Sequence, residues 1–176
     1  ISKLDIEKAR GYFVRSSIYA DQIKNKLTEN RKKVKIAVIL GMHAEKPRLI
    51  EADKDNPYGE ACVRRKIERM EEMFGRPNDP ANVFDWELIF VAHVTSPDQS
   101  GKVVEDLAKQ LRPEYYRAGA VRVVYMAGPL LGKGGKVEFG MKDAIEKRLG
   151  HNPSDIVVYT DVDTSTDVRQ IPILMK

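Results

Sequence analysis

Cysteine is almost missing from this chain: Cys62 is the only one in 176 residues. That excludes a disulfide scaffold and a cysteine-built zinc site, and it makes the reducing cytoplasm the default compartment. Long apolar runs are missing as well. The longest, from Ile36 to Met42, is far too short to cross a bilayer. No charged-then-apolar leader opens the chain at Ile1-Ser2-Lys3-Leu4-Asp5, so no signal peptide is expected. The chain starts without Met and is expected to be trimmed or a fragment of a longer protein. A strong charge of one sign is lacking too. Thirty Lys and Arg against 26 Asp and Glu leave a net charge of +4, too little for a nucleic-acid binder. The weak excess suits an anionic ligand or an anionic membrane face.

What is present describes a folded protein. Hydrophobic residues make up 42% and charged residues 32%, which argues against disorder, and the length suits one domain with an appended helix. The segment before residue 34 carries apolar residues at roughly helical spacing, from Ile6 to Leu27, with Gly11 interrupting it. It reads as an N-terminal helical extension, 1–33, on a domain spanning 34–176. Its end crowds Lys24, Lys26, Arg31, Lys32 and Lys33. That run suits a solvated helix end, and it leaves a peripheral membrane contact open although a strong Trp, Phe and Leu face is lacking.

From Val34 on, strands and helices alternate. Val34–Leu40, Glu87–Val91, Val121–Met126 and Asp155–Thr160 are β-branched apolar runs. Between them, helices are expected over Glu60–Phe74, Ser100–Leu111 and Lys136–Leu149, and residues 46–59 read as a loop. Crossovers this long imply a three-layer α/β/α fold with a mostly parallel sheet. Ligands in such folds bind outside the carboxyl ends of the strands, so the residues after each strand are the informative ones.

Asp161 and Asp163 follow the fourth strand one residue apart. Carboxylates so placed suit a hard cation, Mg²⁺ or Mn²⁺, which would neutralise a phosphate pair. An Asp-rich turn capped through Thr164 or Thr166 is the plainer alternative. Gly132-Lys133-Gly134-Gly135 runs straight into a helix, a setting for anion binding, although its spacing is not that of a Walker A loop. A plain flexible loop remains the alternative. His43 and His93 follow adjacent strands and are either polar loop residues or site residues; too few soft ligands accompany them for zinc. His151 has no evident role, and Arg64-Arg65-Lys66 reads as a solvated helix face.

Several of these segments together resemble a known family. Leu131-Gly132-Lys133-Gly134-Gly135-Lys136-Val137-Glu138-Phe139-Gly140-Met141, followed by Asp155 to Asp163, resembles the lysine-glycine loop, helix and Asp-x-Asp strand end of family 2 glycosyltransferases. Trp86–Val91, Ser96–Ser100 and the tail Ile171–Leu174 are similar to further segments of that family, and Glu45 matches the acidic residue of its first loop. The resemblance covers about Val34 to Leu174 and is especially to the polyprenyl-phosphate glycosyltransferases. It implies the Rossmann-like GT-A fold and metal-dependent transfer from a nucleoside-diphosphate sugar to an acceptor such as a lipid phosphate. It implies that Asp161 and Asp163 hold the metal. It also implies that His43, Glu45, His93, Asp98, Gly132, Lys133, Gly134 and Asp161 border the nucleotide sugar. Three departures accompany it. Gly41 and Ala44 replace a proline and an asparagine, Ala92-His93 replaces an acidic pair, and the acceptor half with its general base would lie beyond Lys176. A non-catalytic nucleotide-sugar or protein-binding module on the same fold is the second expectation. A sugar-phosphate nucleotidyltransferase ranks last, because residues 41–48 fit its glycine-rich loop poorly.

Overall fold

The computed structural model describes residues 3–129, 132–146 and 152–175. Leu130, Leu131, His151 and the expected end of the last long helix lie outside the described residues. Helix α1 (Lys3–Glu29) leads into β1 (Val34–Gly41), the short α2 (Lys46–Leu49) and α3 (Cys62–Phe74). Then come β2 (Phe84–His93), α4 (Ser100–Leu111), the short α5 (Pro113–Arg117) and β3 (Val121–Met126). Helix α6 (Lys133–Ile145), β4 (Ile156–Thr160), a 3₁₀ turn (Val168–Gln170) and α7 (Ile171–Leu174) complete the chain.

The four strands form one all-parallel sheet in the order β3-β2-β1-β4. The α/β class and the parallel sheet expected from the sequence are therefore present. Strand β1 lies in the middle, and Ile36 to Leu40 are fully buried, which is why its sequence is apolar at consecutive positions. Strand period sorts its side chains. Ile36, Val38 and Leu40 meet Val63, Ile67 and Met70 of α3 and Val104 of α4. Ala37 and Ile39 face the other way, toward Phe139, Met141 and Ala144 of α6. Helices thus cover both faces. Gly140 lets α6 lie close to the sheet, since a β-carbon there would come within 2.5 Å of Ile39 Cγ2 and 2.7 Å of Val91 Cγ2.

Two boundaries differ from the expected ones for identifiable reasons. Strand β2 is longer at both ends, because it pairs along its length with β1 (Val34 opposite Phe84) and at its end with β3 (His93 opposite Met126). His93 is therefore the last strand residue and not part of the following loop. Helix α6 starts at Lys133, three residues before the expected Lys136, so the lysine-glycine stretch forms its first turn. Residues 46–59 begin with the helical turn α2, started by Pro47.

The sheet order positions the site. The chain steps from β1 to β2 to β3 along one side, then jumps past both to place β4 on the far edge of β1. Crossovers of one hand then put α3 and α4 on one face and α6 on the other. With α3 following β1 on one face and α6 following β3 on the other, a crevice opens at the carboxyl ends of β1 and β4. Helix α1 packs on α7, the 3₁₀ turn and α3, with Ile23 and Leu27 against the larger core. No helix among the described residues is long and apolar enough to cross a membrane.

Candidate functional site

The crevice between β1 and β4 is a pocket of about 520 Å³, within the range of small-ligand sites. Three segments line it. Gly41, Met42, His43, Glu45 and Arg48 come from the β1 loop and α2. Gly132, Lys133 and Lys136 come from the start of α6, and Asp161, Val162 and Asp163 follow β4. The sequence-derived candidates His43, Glu45, Gly132, Lys133, Asp161 and Asp163 are brought together here. Gly134 lies in the first turn of α6 but does not line the pocket.

His93 and Asp98 stand behind the wall and act as struts. The His93 ring is buried, with Nε2 3.0 Å from the Gly128 carbonyl and Nδ1 accepting from the Thr95 N–H at 3.2 Å. The Nε2–H form satisfies both contacts. Asp98 Oδ1 accepts from Ser96 Oγ, Ser100 Oγ and the Ser100 N–H, and Oδ2 accepts from the Lys46 N–H at 2.8 Å. Burial pushes its carboxyl up, but these hydrogen bonds outweigh burial and hold it below its ordinary value. Asp98 therefore joins the β2 loop to the β1 loop. Ser100 Oγ adds to this by accepting from the Glu45 N–H at 3.0 Å.

At the pocket rim each carboxylate of the Asp-x-Asp pair has a cation beside it. Asp161 Oδ1 accepts from Lys133 Nζ and, at 2.6 Å, from Tyr159 Oη. Lys133 and then Tyr159 hold the Asp161 carboxyl below the usual carboxylate range. The Arg48 guanidinium sits 3.3 Å from Asp163 Oδ2, 3.6 Å from Glu45 and 3.7 Å from Glu60. Asp163 Oδ1 accepts from the Ser165 N–H at 3.1 Å and from its hydroxyl, so a local Asp-centred turn is present too. Burial raises the Glu45 carboxyl; Arg48 opposes that shift, while Asp163, Asp98 and Asp161 reinforce it.

The loop after β4 is held from below by α3. Lys66 is fully buried and donates to the Thr166 carbonyl at 2.8 Å, with Thr160 Oγ1 3.5 Å away. Arg64 and Arg65 are exposed, so only these two belong to a solvated face; Lys66 points inward. Burial pushes the Lys66 ammonium down. Glu60 Oε2 accepts from the Thr164 N–H and hydroxyl at 2.9 and 2.7 Å. Cys62 is buried nearby, and burial lifts its thiol to about 12, which disfavours the thiolate.

The sequence reading missed Arg48, Lys66 and Lys136. Arg48 lay in a presumed loop and Lys66 in a charge run, and Lys136 looked like a helix start. No local signal separates them from surface cations. No family model matches the chain, and no curated protein and no solved structure matches it.

Proposed function

We propose that the rim pocket binds a nucleoside-diphosphate sugar and that the chain is the donor-binding part of a metal-dependent glycosyltransferase of GT-A type. The observation that supports this most is the meeting of Asp161, Asp163 and the start of α6 in one pocket between β1 and β4. A helix N-terminus and lysines favour phosphates, and the crevice where strand order reverses is where open α/β sheets bind nucleotides.

The donor set suits a hard cation. Asp161 Oδ2 has no partner among the described residues, and Asp163 adds a second carboxylate. No group of three or more His, Cys, Asp or Glu is assembled among the described residues. Two carboxylates plus substrate phosphates is a usual environment for Mg²⁺. Held by Asp161 and Asp163, Mg²⁺ or Mn²⁺ would stabilise negative charge on the leaving diphosphate. In this reading Lys133 and the first N–H groups of α6 bind phosphate oxygens, and His43 and Glu45 border the nucleoside and sugar. The bond from the anomeric carbon to the diphosphate oxygen breaks as the acceptor oxygen bonds to that carbon. No residue here is assigned to take the acceptor's proton.

One observation favours a second reading, a binding module without turnover: cations of the chain itself already engage both aspartates. Calorimetry with UDP- and GDP-sugars, with and without Mn²⁺, separates the two. Binding that Mn²⁺ strengthens, with that gain lost in Asp161→Ala, is expected for the donor site. No binding at millimolar ligand overturns it and leaves the module reading.

A further inference from the structure

The most unusual side chain in the pocket is Lys136. It is only 4% exposed, yet no hydrogen bond or ion pair engages its ammonium among the described residues. By contrast, buried Lys66 has the Thr166 carbonyl, and half-buried Asp98 has Ser100 and the Lys46 N–H. In Lys136 it is the stem that is buried: the ammonium is not one of the buried polar atoms left without a partner, so it reaches the open pocket. Lys136 lines the pocket, so the direction in which its ammonium finds a partner is the pocket. Its stem is accommodated by Gly41 at the end of β1, where a β-carbon would stand 3.4 Å from Lys136 Cβ. Burial holds its ammonium below the usual lysine value, with Glu45 the one carboxylate opposing that shift.

A second feature points the same way. Helix α6 has no side-chain cap, and Gly135 and Lys136 N–H turn back to the Gly132 carbonyl. The N–H groups of Lys133 and Gly134 are left without a partner among the described residues. Lys133 and Lys136 stand three residues apart, on one face of the first turn. Two cations spaced along the pocket, one at the rim and one inside, with orphan N–H groups beside them, match two linked phosphates better than one.

We infer that Lys136 is the specificity-determining cation of this pocket, binding a diphosphate directly with the α6 N-terminus, so that a diphosphate is held even without a divalent cation. This rests on the same pocket as the glycosyltransferase reading and sharpens it, because it gives the diphosphate a metal-independent share of its affinity.

The test is calorimetry of the full chain with inorganic pyrophosphate in EDTA, repeated with inorganic phosphate and on Lys136→Met. Met is close in size and apolar, so that the variant folds, which circular dichroism and thermal melting check. Expected are pyrophosphate binding in EDTA, weaker binding of phosphate, and a loss of about tenfold or more in Lys136→Met, as for a charge-assisted contact. Lys133→Ala gives a second readout on the exposed cation, and a smaller loss is expected there. Unchanged pyrophosphate affinity in folded Lys136→Met overturns the inference. So does pyrophosphate binding that appears only with Mn²⁺, or phosphate binding as tight as pyrophosphate. The two proposals fail separately. Lys136-dependent pyrophosphate binding without any nucleotide-sugar binding sinks the glycosyltransferase reading alone. Metal-dependent nucleotide-sugar binding that Lys136→Met leaves unchanged sinks the Lys136 inference alone.

Discussion

The two ends of the sheet carry similar chemistry and treat it differently. At the amino ends of the strands lies a cleft of about 400 Å³ lined by Lys33, Lys35, Asp85, Glu87 and Asp155. Every one of these charges is used by the protein. Glu87 accepts from Arg122 Nε at 3.1 Å and Ser154 Oγ at 2.9 Å and lies 3.5 Å from Lys35 Nζ. Arg122 also pairs with Asp143 of α6. Asp155 accepts from the Lys35 N–H, Asp85 from the Asn78 N–H, and Lys33 donates to the Asp79 carbonyl. At the carboxyl ends the pocket leaves Lys136 and two helix N–H groups without partners. A cleft whose charges close on one another ties elements together. A cleft that keeps one lysine and helix N–H groups open among its paired charges is prepared for something else to complete it. Size alone does not separate the two; pairing does.

The comparison breaks most sharply at Glu87. Removing it in Glu87→Ala takes the shared, buried carboxylate from half-buried Arg122 and Lys35, which keep Asp143 and the Asn152 carbonyl. The expected cost is about 3 kcal/mol, read as a lower urea midpoint. Pyrophosphate binding by the fraction still folded is expected to be unchanged. A rim effect as large as the stability effect would show that the two ends are coupled.

Gly140→Val tests an element that reaches toward both ends. The new side chain collides with Ile39 and Val91 and moves α6, which carries Asp143 at one end and Lys133 and Lys136 toward the other. A loss of about 1–3 kcal/mol is expected, together with weaker pyrophosphate binding. Normal binding in this variant would mean that the first turn of α6 is positioned by its own loop and not by the sheet.

The smallest effect is at Asp98, a strut at the rim rather than a ligand group. Its folded carboxyl titrates below its ordinary value of 3.8, so it stabilises the fold above that value. The contribution is lost as pH falls through the lower, folded value. Asp98→Asn is expected to be less stable at neutral pH and to lose less on acidification, as measured by urea midpoints along a pH series. Parallel curves for the two proteins would show that Asp98 does not act as this acid-sensitive tie.

Much of the fold was legible because it depends on local patterning. The runs Val34–Leu40 and Val121–Met126 are strands wherever they pack, and Val63, Ile67, Met70 and Phe74 repeat at a helix period. Strand β2 was read too short because Asp85 interrupts its apolar run and its ends are held by pairing with neighbours. Six candidates from three loops do share the pocket, since strand ends gather on one rim in any parallel sheet. His93 and Asp98 were legible as rim residues but not as struts. That depends on Gly128, 35 residues away, and on Lys46, 52 residues away.

By itself the sequence determined the alternation of strands and helices, the parallel sheet this requires, and the rim on which chemistry gathers. These follow from short-range periodicity and from the length of each crossover. Only the tertiary structure decided the order β3-β2-β1-β4, which opens the crevice between β1 and β4. It also decided which charges meet. Arg48 finds three carboxylates, Lys66 a carbonyl, and Lys136 the open pocket. Whether a lysine is solvated, paired or left waiting depends on groups distant in the chain, and no spacing along the chain records that.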